Sequence, residues 1–413
     1  MADAFLGAYR GILRTRHAWR FSVAGWFARL VRSTAGIGTI LLIGGRTGEY
    51  AVAGAAAGAV VLGAAVAGPL WSRVADRRGQ SLVLAIALGS LTASSALLIA
   101  AVDLRWPVPV AVAAAFLVGA TAVDAGALSR ARWLHLLDES HARHTALALE
   151  SVLDEFTFVI GPPVVTLVAA AASPELGFAT GVAVSLAGYI AVLAQRSTAP
   201  RPSTESARGA GGWLPHGVLG LLPGYVGVGL IFGSVDVTAV GVASAIGETW
   251  YAGAMLAVFA VGSVVAGVVF GALAGRWAPL RRLALAGILF ALVMPWFALV
   301  GSPWWFGVVS LLAGLATTPM LISSSSVIET VAQRGAITVA MSWPTVAMSV
   351  GVTVASSVTG AAVDAGAAYG GLWIPACAAV LVLVTSVLNA RLRRRPPSAL
   401  HPGRMAVEEP RRR

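Results

Sequence analysis

Few side chains within the long apolar stretches of this 413-residue chain can carry charge, and several of those few are closely spaced. Arg29 and Arg32 stand three residues apart, Glu150 and Asp154 four apart with Glu155 adjoining, and Asp124, Asp236 and Glu329 occur singly. Residues three or four apart share one face of a helix, so the spacing suits ion pairing and proton exchange between carboxylates and guanidinium groups. A charge near the bilayer centre costs about 2.5–3.5 kcal/mol on insertion scales, so each one demands a partner or a role. Hydrolytic and redox chemistry have less to work with. The six histidines (His17, His135, His141, His144, His216, His401) lie outside the apolar runs or at their edges, and the single cysteine, Cys377, lies inside one. The chain thus offers no Ser/His or Cys/His pair, no disulfide framework, no metal cluster and no Walker-type loop for ATP. An enzyme is not expected, nor is a metal or an organic cofactor.

The elements that position these charges follow from composition. Hydrophobic residues make up 57% of the chain and charged residues 11%, with a mean hydropathy of +0.81. Soluble domains carry about 25% charged residues. The deficit excludes a soluble enzyme, a nucleic-acid reader and a disordered chain. The 47 glycines suit close helix approach in lipid, where association comes from packing rather than from water exclusion. A membrane-spanning helix needs roughly 20 apolar residues. Such runs fall near 21–44, 51–72, 81–102, 107–129, 145–172 and 176–195, then near 217–243, 251–274, 282–301, 304–328, 336–362 and 371–390. The expected fold is an all-α membrane protein of twelve helices, with six-helix bundles at 21–195 and 217–390 and a polar linker at 196–216. Residues 1–20 read as an interfacial segment, and 391–413 as a basic tail.

The net charge of +11 is topogenic rather than a nucleic-acid footprint, because the arginines sit in short loops. With both termini cytoplasmic, 25 arginines fall on the inner side, only Arg46 and Arg105 fall outside, and Arg29 and Arg32 remain in the membrane. The positive-inside rule therefore orients the chain. A multi-pass protein of a bacterial plasma membrane, surrounded by lipid and acting as a monomer, is expected.

An internal repeat sharpens the reading. Ser72-Arg73-Val74-Ala75-Asp76-Arg77-Arg78-Gly79 and the stretch from Gly271 to Ala278 stand 199 residues apart, each after the second helix of its half. Duplicated six-helix halves around a central site are a recurring transporter design. The first stretch resembles the Gly-x-Leu-x-Asp-Arg-x-Gly-Arg-Arg loop of the major facilitator superfamily. Asp76, Arg77 and Gly79 match, and Ser72, Gln80 and Ser81 depart from the pattern. The resemblance implies a cytoplasmic gate at Asp76, Arg77 and Gly79, with Arg130 as a partner for Asp76; the alternative is that these charges only set topology. Gly161-Pro162-Pro163, expected to kink helix 5 near the cavity because proline removes a helix hydrogen bond, resembles the weaker Gly-Pro element of the family's antiporters.

At 1.5 Å per residue, Arg29 lies about 12 Å and Arg32 about 17 Å from the inner edge of helix 1, Asp154 about 14 Å from that of helix 5, and Asp124 about 8 Å deep in helix 4. The resemblance implies that helices 1, 4 and 5 face one cavity. Arg29 and Arg32 are therefore expected to pair with Glu150, Asp154 or Glu155, with Asp124 nearby. Such a network either titrates, coupling protons to a substrate, or is a permanent buried salt bridge. Asp236 suits a cationic substrate, a proton, or a hydrated vestibule, and Ser324 and Trp343 are further candidates for the cavity wall. The function expected is secondary active transport of a small organic compound, a drug or secondary metabolite, exported by alternating access against entering protons. The alternatives are an uncoupled uniporter or importer, or an intramembrane enzyme or receptor on the same fold.

Overall fold

The computed structural model describes residues 15, 18–137, 140–202, 216–273, 277–331 and 337–392. Most of the expected N-terminal segment and linker, the centre of the second repeat, the side chain of Glu329 and the tail beyond 392 lie outside the described residues. Twelve helices among those described are long and apolar enough to cross a membrane. They are α1 (Ala18–Ala28, then Leu30–Thr47), α2 (Tyr50–Arg78), α3 (Gln80–Asp103), α4 (Val108–Thr121, then Ala125–Leu136), α5 (Ser140–Ala171) and α6 (Pro174–Leu193). A second set follows: α7 (Leu222–Ala245), α8 (Trp250–Leu273), α9 (Pro279–Val293, continued as a 3-10 turn over Met294–Leu299), α10 (Pro303–Val331), α11 (Ile337–Asp364) and α12 (Ile374–Leu392).

Each set packs into a bundle, α2 on α4 and α1 on α6 in the first, α8 on α10 and α7 on α11 and α12 in the second. The spans α1 and α7 are the most enclosed, with 83% and 78% of an 18-residue stretch buried against 33–61% for the other ten, so these two form the centre.

The bundles meet along α2–α11 and α5–α8. Close backbone approach makes the first seam. A Cβ on Gly54 would strike the Ser356 carbonyl, and one on Gly58 would strike the Thr353 backbone; without it, the helices gain the dispersion contacts that hold them together in lipid. The Thr353 hydroxyl also donates to the Gly58 carbonyl at 3.1 Å. At the end of this seam the Asp364 carboxylate, at the C-terminus of α11, accepts the Tyr50 and Ala51 backbone N–H groups at 2.6 and 2.8 Å. Those are first-turn donors of α2 with no partner inside their helix, and Glu49 at the N-cap gives them no side-chain bond. Pro162, Pro163 and Thr166 of α5 lie against Gly253 of α8. These contacts close the protein at the end carrying Tyr50 and Asp364.

Two of the helices are broken, at places the apolar runs do not mark. α1 stops at Ala28 and restarts at Leu30, and the Val31 N–H is met by the Ser185 hydroxyl of α6 at 2.7 Å. α4 opens at Ala122–Asp124. There the Tyr189 hydroxyl donates to the Val123 carbonyl at 3.1 Å, and the Trp71 indole donates to the Ala120 carbonyl at 2.8 Å. A helix can open inside a membrane only where protein groups satisfy its freed backbone. α5, in contrast, runs unbroken through Gly161-Pro162-Pro163. The Thr166 hydroxyl donates to the carbonyls of Pro162 and Pro163, and Gly161 packs against Ser33 and Thr34 of α1.

Candidate functional site

The charged residues of α1, α4 and α5 assemble around the two helix breaks. Arg29 is the residue at which α1 is interrupted; its backbone stays near helical, with φ −83° and ψ −15°, and its side chain is 2% exposed. One arm of its guanidinium pairs with the Glu150 carboxylate. The other donates to Asp154 Oδ1 at 3.1 Å and to the Glu150 carbonyl at 3.2 Å. Glu150 is fully buried. It also accepts the Trp133 indole N–H at 2.7 Å and the Ser22 hydroxyl at 3.1 Å, so its charge has three donors. Phe21 packs edge-on against Trp133 with ring centroids 4.9 Å apart, which fixes the indole. A carboxylate bound this fully has little reason to release its cation.

Asp154 is placed differently. Its second oxygen pairs with Arg130 of α4, and its side chain is 16% exposed beside an Arg130 that is 33% exposed. Asp154 therefore bridges α1 and α4 from α5, at the edge of the buried cluster. Asp124 caps the second segment of α4 by accepting the Ala127 N–H at 3.1 Å, the ordinary work of an N-cap aspartate. A Cβ on Gly126 would lie 3.0 Å from Asp124 Oδ1, 3.2 Å from Asp154 Oδ1 and 3.4 Å from Arg130 Nη1, so all three groups converge there.

Several expected assignments are corrected by this geometry. Arg32 forms no ion pair among the described residues; it is exposed, 5.8 Å from the centre of the Phe158 ring. Glu150 and both oxygens of Asp154 are already taken by Arg29 and Arg130. Glu155 is half-buried without an ion-pair partner among the described residues, and it feels the charges of Asp154 and Arg32. Arg130 is engaged by Asp154 rather than by Asp76, because α4 turns it toward α5. Ser324 is 1% exposed with its hydroxyl toward Met320 Sδ at 3.9 Å, so it is held in helix packing instead of lining open space. Its neighbour Ser325 meets the Tyr225 hydroxyl at 3.4 Å. Trp343 is half-buried on α11.

The loop of the first repeat lies at the end opposite Asp364. Gly79 turns the chain between α2 and α3 with φ +89°, a conformation that suits glycine. Asp76 and Arg77 are exposed, with no ion pair or hydrogen bond among the described residues. Asp76 borders a hollow formed by α2, α4, Pro200 and Arg201. Beneath it, buried Arg132 donates to Gln80, to Thr198 and to the Gln195 and Val192 carbonyls, tying α3, α4 and the end of α6 together. Trp133, Ser185, Tyr189 and Arg132 were not singled out from sequence. Only the Asp124-x-x-Ala127 spacing carried a sequence signal, a helix start inside an apolar run.

Among the described residues no group of three His, Cys, Asp or Glu side chains could hold a metal ion. No sequence-family model matches the chain, and no curated protein matches it. Solved structures do. The crystal structure of the nucleoside transporter NupG superposes with a TM-score of 0.67 at 13% identity, over 92% of this chain and all of that one. The POT family transporter PepTSo superposes with a TM-score of 0.68 at 12% identity, over 92% and 98%. A POT family transporter in complex with 5-aminolevulinic acid gives 0.64 at 10% identity, over 91% and 95%. At these identities the likeness is one of fold, and it spans both halves: the chain has the twelve-helix major facilitator fold.

Proposed function

We propose that the protein is a secondary active transporter that moves a small organic compound by alternating access and couples this movement to protons at Asp154. The observation that carries the reading is the position of Asp154, shared between Arg29 and Arg130 where both α1 and α4 are broken. Protonating Asp154 removes the charge that holds the two arginines together, and the broken backbones on either side give the freed segments room to move. Glu150 keeps Arg29 anchored throughout. The fold is closed at the Tyr50–Asp364 end, while Asp76 at the other end has no partner among the described residues. That arrangement fits one end state of such a cycle, with Asp76 free to latch in the other. The solved transporters of this fold support a transporter over an enzyme.

The test needs no known substrate. Spin labels at Arg78 and Arg281 report one end of the molecule, and labels at Glu49 and Ala365 report the other, in a Cys377→Ser background reconstituted into liposomes. Two distance populations that exchange reciprocally and shift on acidification are expected, with the shift lost in Asp154→Asn. One fixed distance under all conditions refutes alternating access. A pH shift that survives Asp154→Asn refutes the assignment of Asp154. Export, the expected direction, is tested in vesicles loaded with a panel of metabolites and drugs: loss of a compound against entering protons supports it, and accumulation reverses it.

A further inference from the structure

Asp236 has no part in the network above. It lies on α7, one of the two most enclosed spans, about 21 Å along the helix from Leu222 and about 14 Å from Ala245. It is half-buried, makes no ion pair or hydrogen bond among the described residues, and no other charge acts on it. A lone carboxylate at that depth is costly and marks a role inside the protein. One turn before it, Phe232 stacks at a tilt on Phe259 of α8, with centroids 5.5 Å apart. Positions 232 and 236 share a helix face. A carboxylate beside an aromatic ring is a receptor for an organic cation, because both the charge and the ring face attract it.

The charge balance of the whole site agrees. Around the helix breaks and on α7, four arginines (Arg29, Arg32, Arg130 and the buried Arg132) stand against five carboxylates (Asp124, Glu150, Asp154, Glu155, Asp236). The site is thus one negative charge in excess when every group is ionised, and in a low-dielectric space that excess repels anions and draws cations. The uncompensated charge is that of Asp236, on which no charged group among the described residues acts.

We infer that the transported compound is an organic cation, whose charged group is held by Asp236 and the ring of Phe232. This deepens the transporter reading and rests on it. The test is equilibrium dialysis of the purified full chain with tetraphenylphosphonium and with tetraphenylborate, which has the same shape and the opposite charge. The wild type should hold the phosphonium at least about tenfold more tightly than the borate, a difference of about 1.4 kcal/mol. Asp236→Asn should abolish that preference, Asp236→Glu should keep it, and Phe232→Leu should weaken the phosphonium about threefold with no change for the borate. A wild type that ignores the phosphonium or prefers the borate overturns the inference. So does Asp236→Asn binding the phosphonium as the wild type does. Because the spin-label distances do not depend on the ligand's charge, an inverted preference with intact alternation sinks the cation site alone, whereas a fixed distance sinks the transporter reading.

Discussion

Removing Glu150 and removing Asp154 should have opposite consequences for stability and for function, although each acid pairs with Arg29. Consider Glu150→Gln. Arg29 is 2% exposed and Glu150 fully buried, so the change strips the charge that compensates a guanidinium with almost no access to water. Breaking a buried pair from one side costs about 3–5 kcal/mol, because the remaining charge stays desolvated. The amide oxygen of Gln can still accept from Trp133 and Ser22, and Asp154 still holds one arm of Arg29, so the lower end of that range, about 3 kcal/mol, is expected. Asp154→Asn leaves Arg29 paired with Glu150, keeps an amide oxygen that can still accept from Arg29, and removes the charge bridging to Arg130, which is 33% exposed. Screening by solvent brings that loss to about 1 kcal/mol. Unfolding both variants in mixed micelles with increasing denaturing detergent measures the difference, and Glu150→Gln should unfold first by about 2 kcal/mol. The acidification response of the spin labels should show the reverse, surviving in Glu150→Gln and vanishing in Asp154→Asn. If Glu150→Gln matches the wild type in stability, or Asp154→Asn proves the more damaging change, the division into an anchoring and a switching carboxylate is wrong.

Two further outcomes follow from the seam between the bundles. Asp364→Ala leaves the first-turn donors of α2 uncapped at the closed end. A carboxylate at a helix N-terminus on an exposed surface is worth about 1 kcal/mol, so the ratio of separated to close Glu49–Ala365 populations should rise about fivefold. Gly58→Leu puts a side chain against the Thr353 backbone. Overpacking of about 1–3 kcal/mol should hold that end open and stop turnover, and a short Glu49–Ala365 distance in this variant would refute the close-approach argument.

Hydropathy alone placed the twelve spans, because insertion is a nearly additive transfer of one residue after another and leaves its record in linear order. It also located the charges that needed explanation, since Arg29, Glu150 and Asp154 are conspicuous against so apolar a background. Which carboxylate each arginine takes was not legible there. Arg32 stands one turn from Arg29 on paper, yet it lies over Phe158 without an ion pair among the described residues, because Arg29 and Arg130 occupy Glu150 and Asp154. Arg130 looked like a gate residue beside Asp76, yet α4 directs it to Asp154. The interruptions of α1 and α4 are likewise met by Ser185, Tyr189 and Trp71, side chains from helices distant in sequence. Composition and spacing are enough to place this chain in lipid as twelve helices with a charged centre. How that centre is wired, and which end is closed, emerges only from packing, because ion pairing and backbone satisfaction in a membrane depend on the direction each helix face points, and neighbouring helices set that direction.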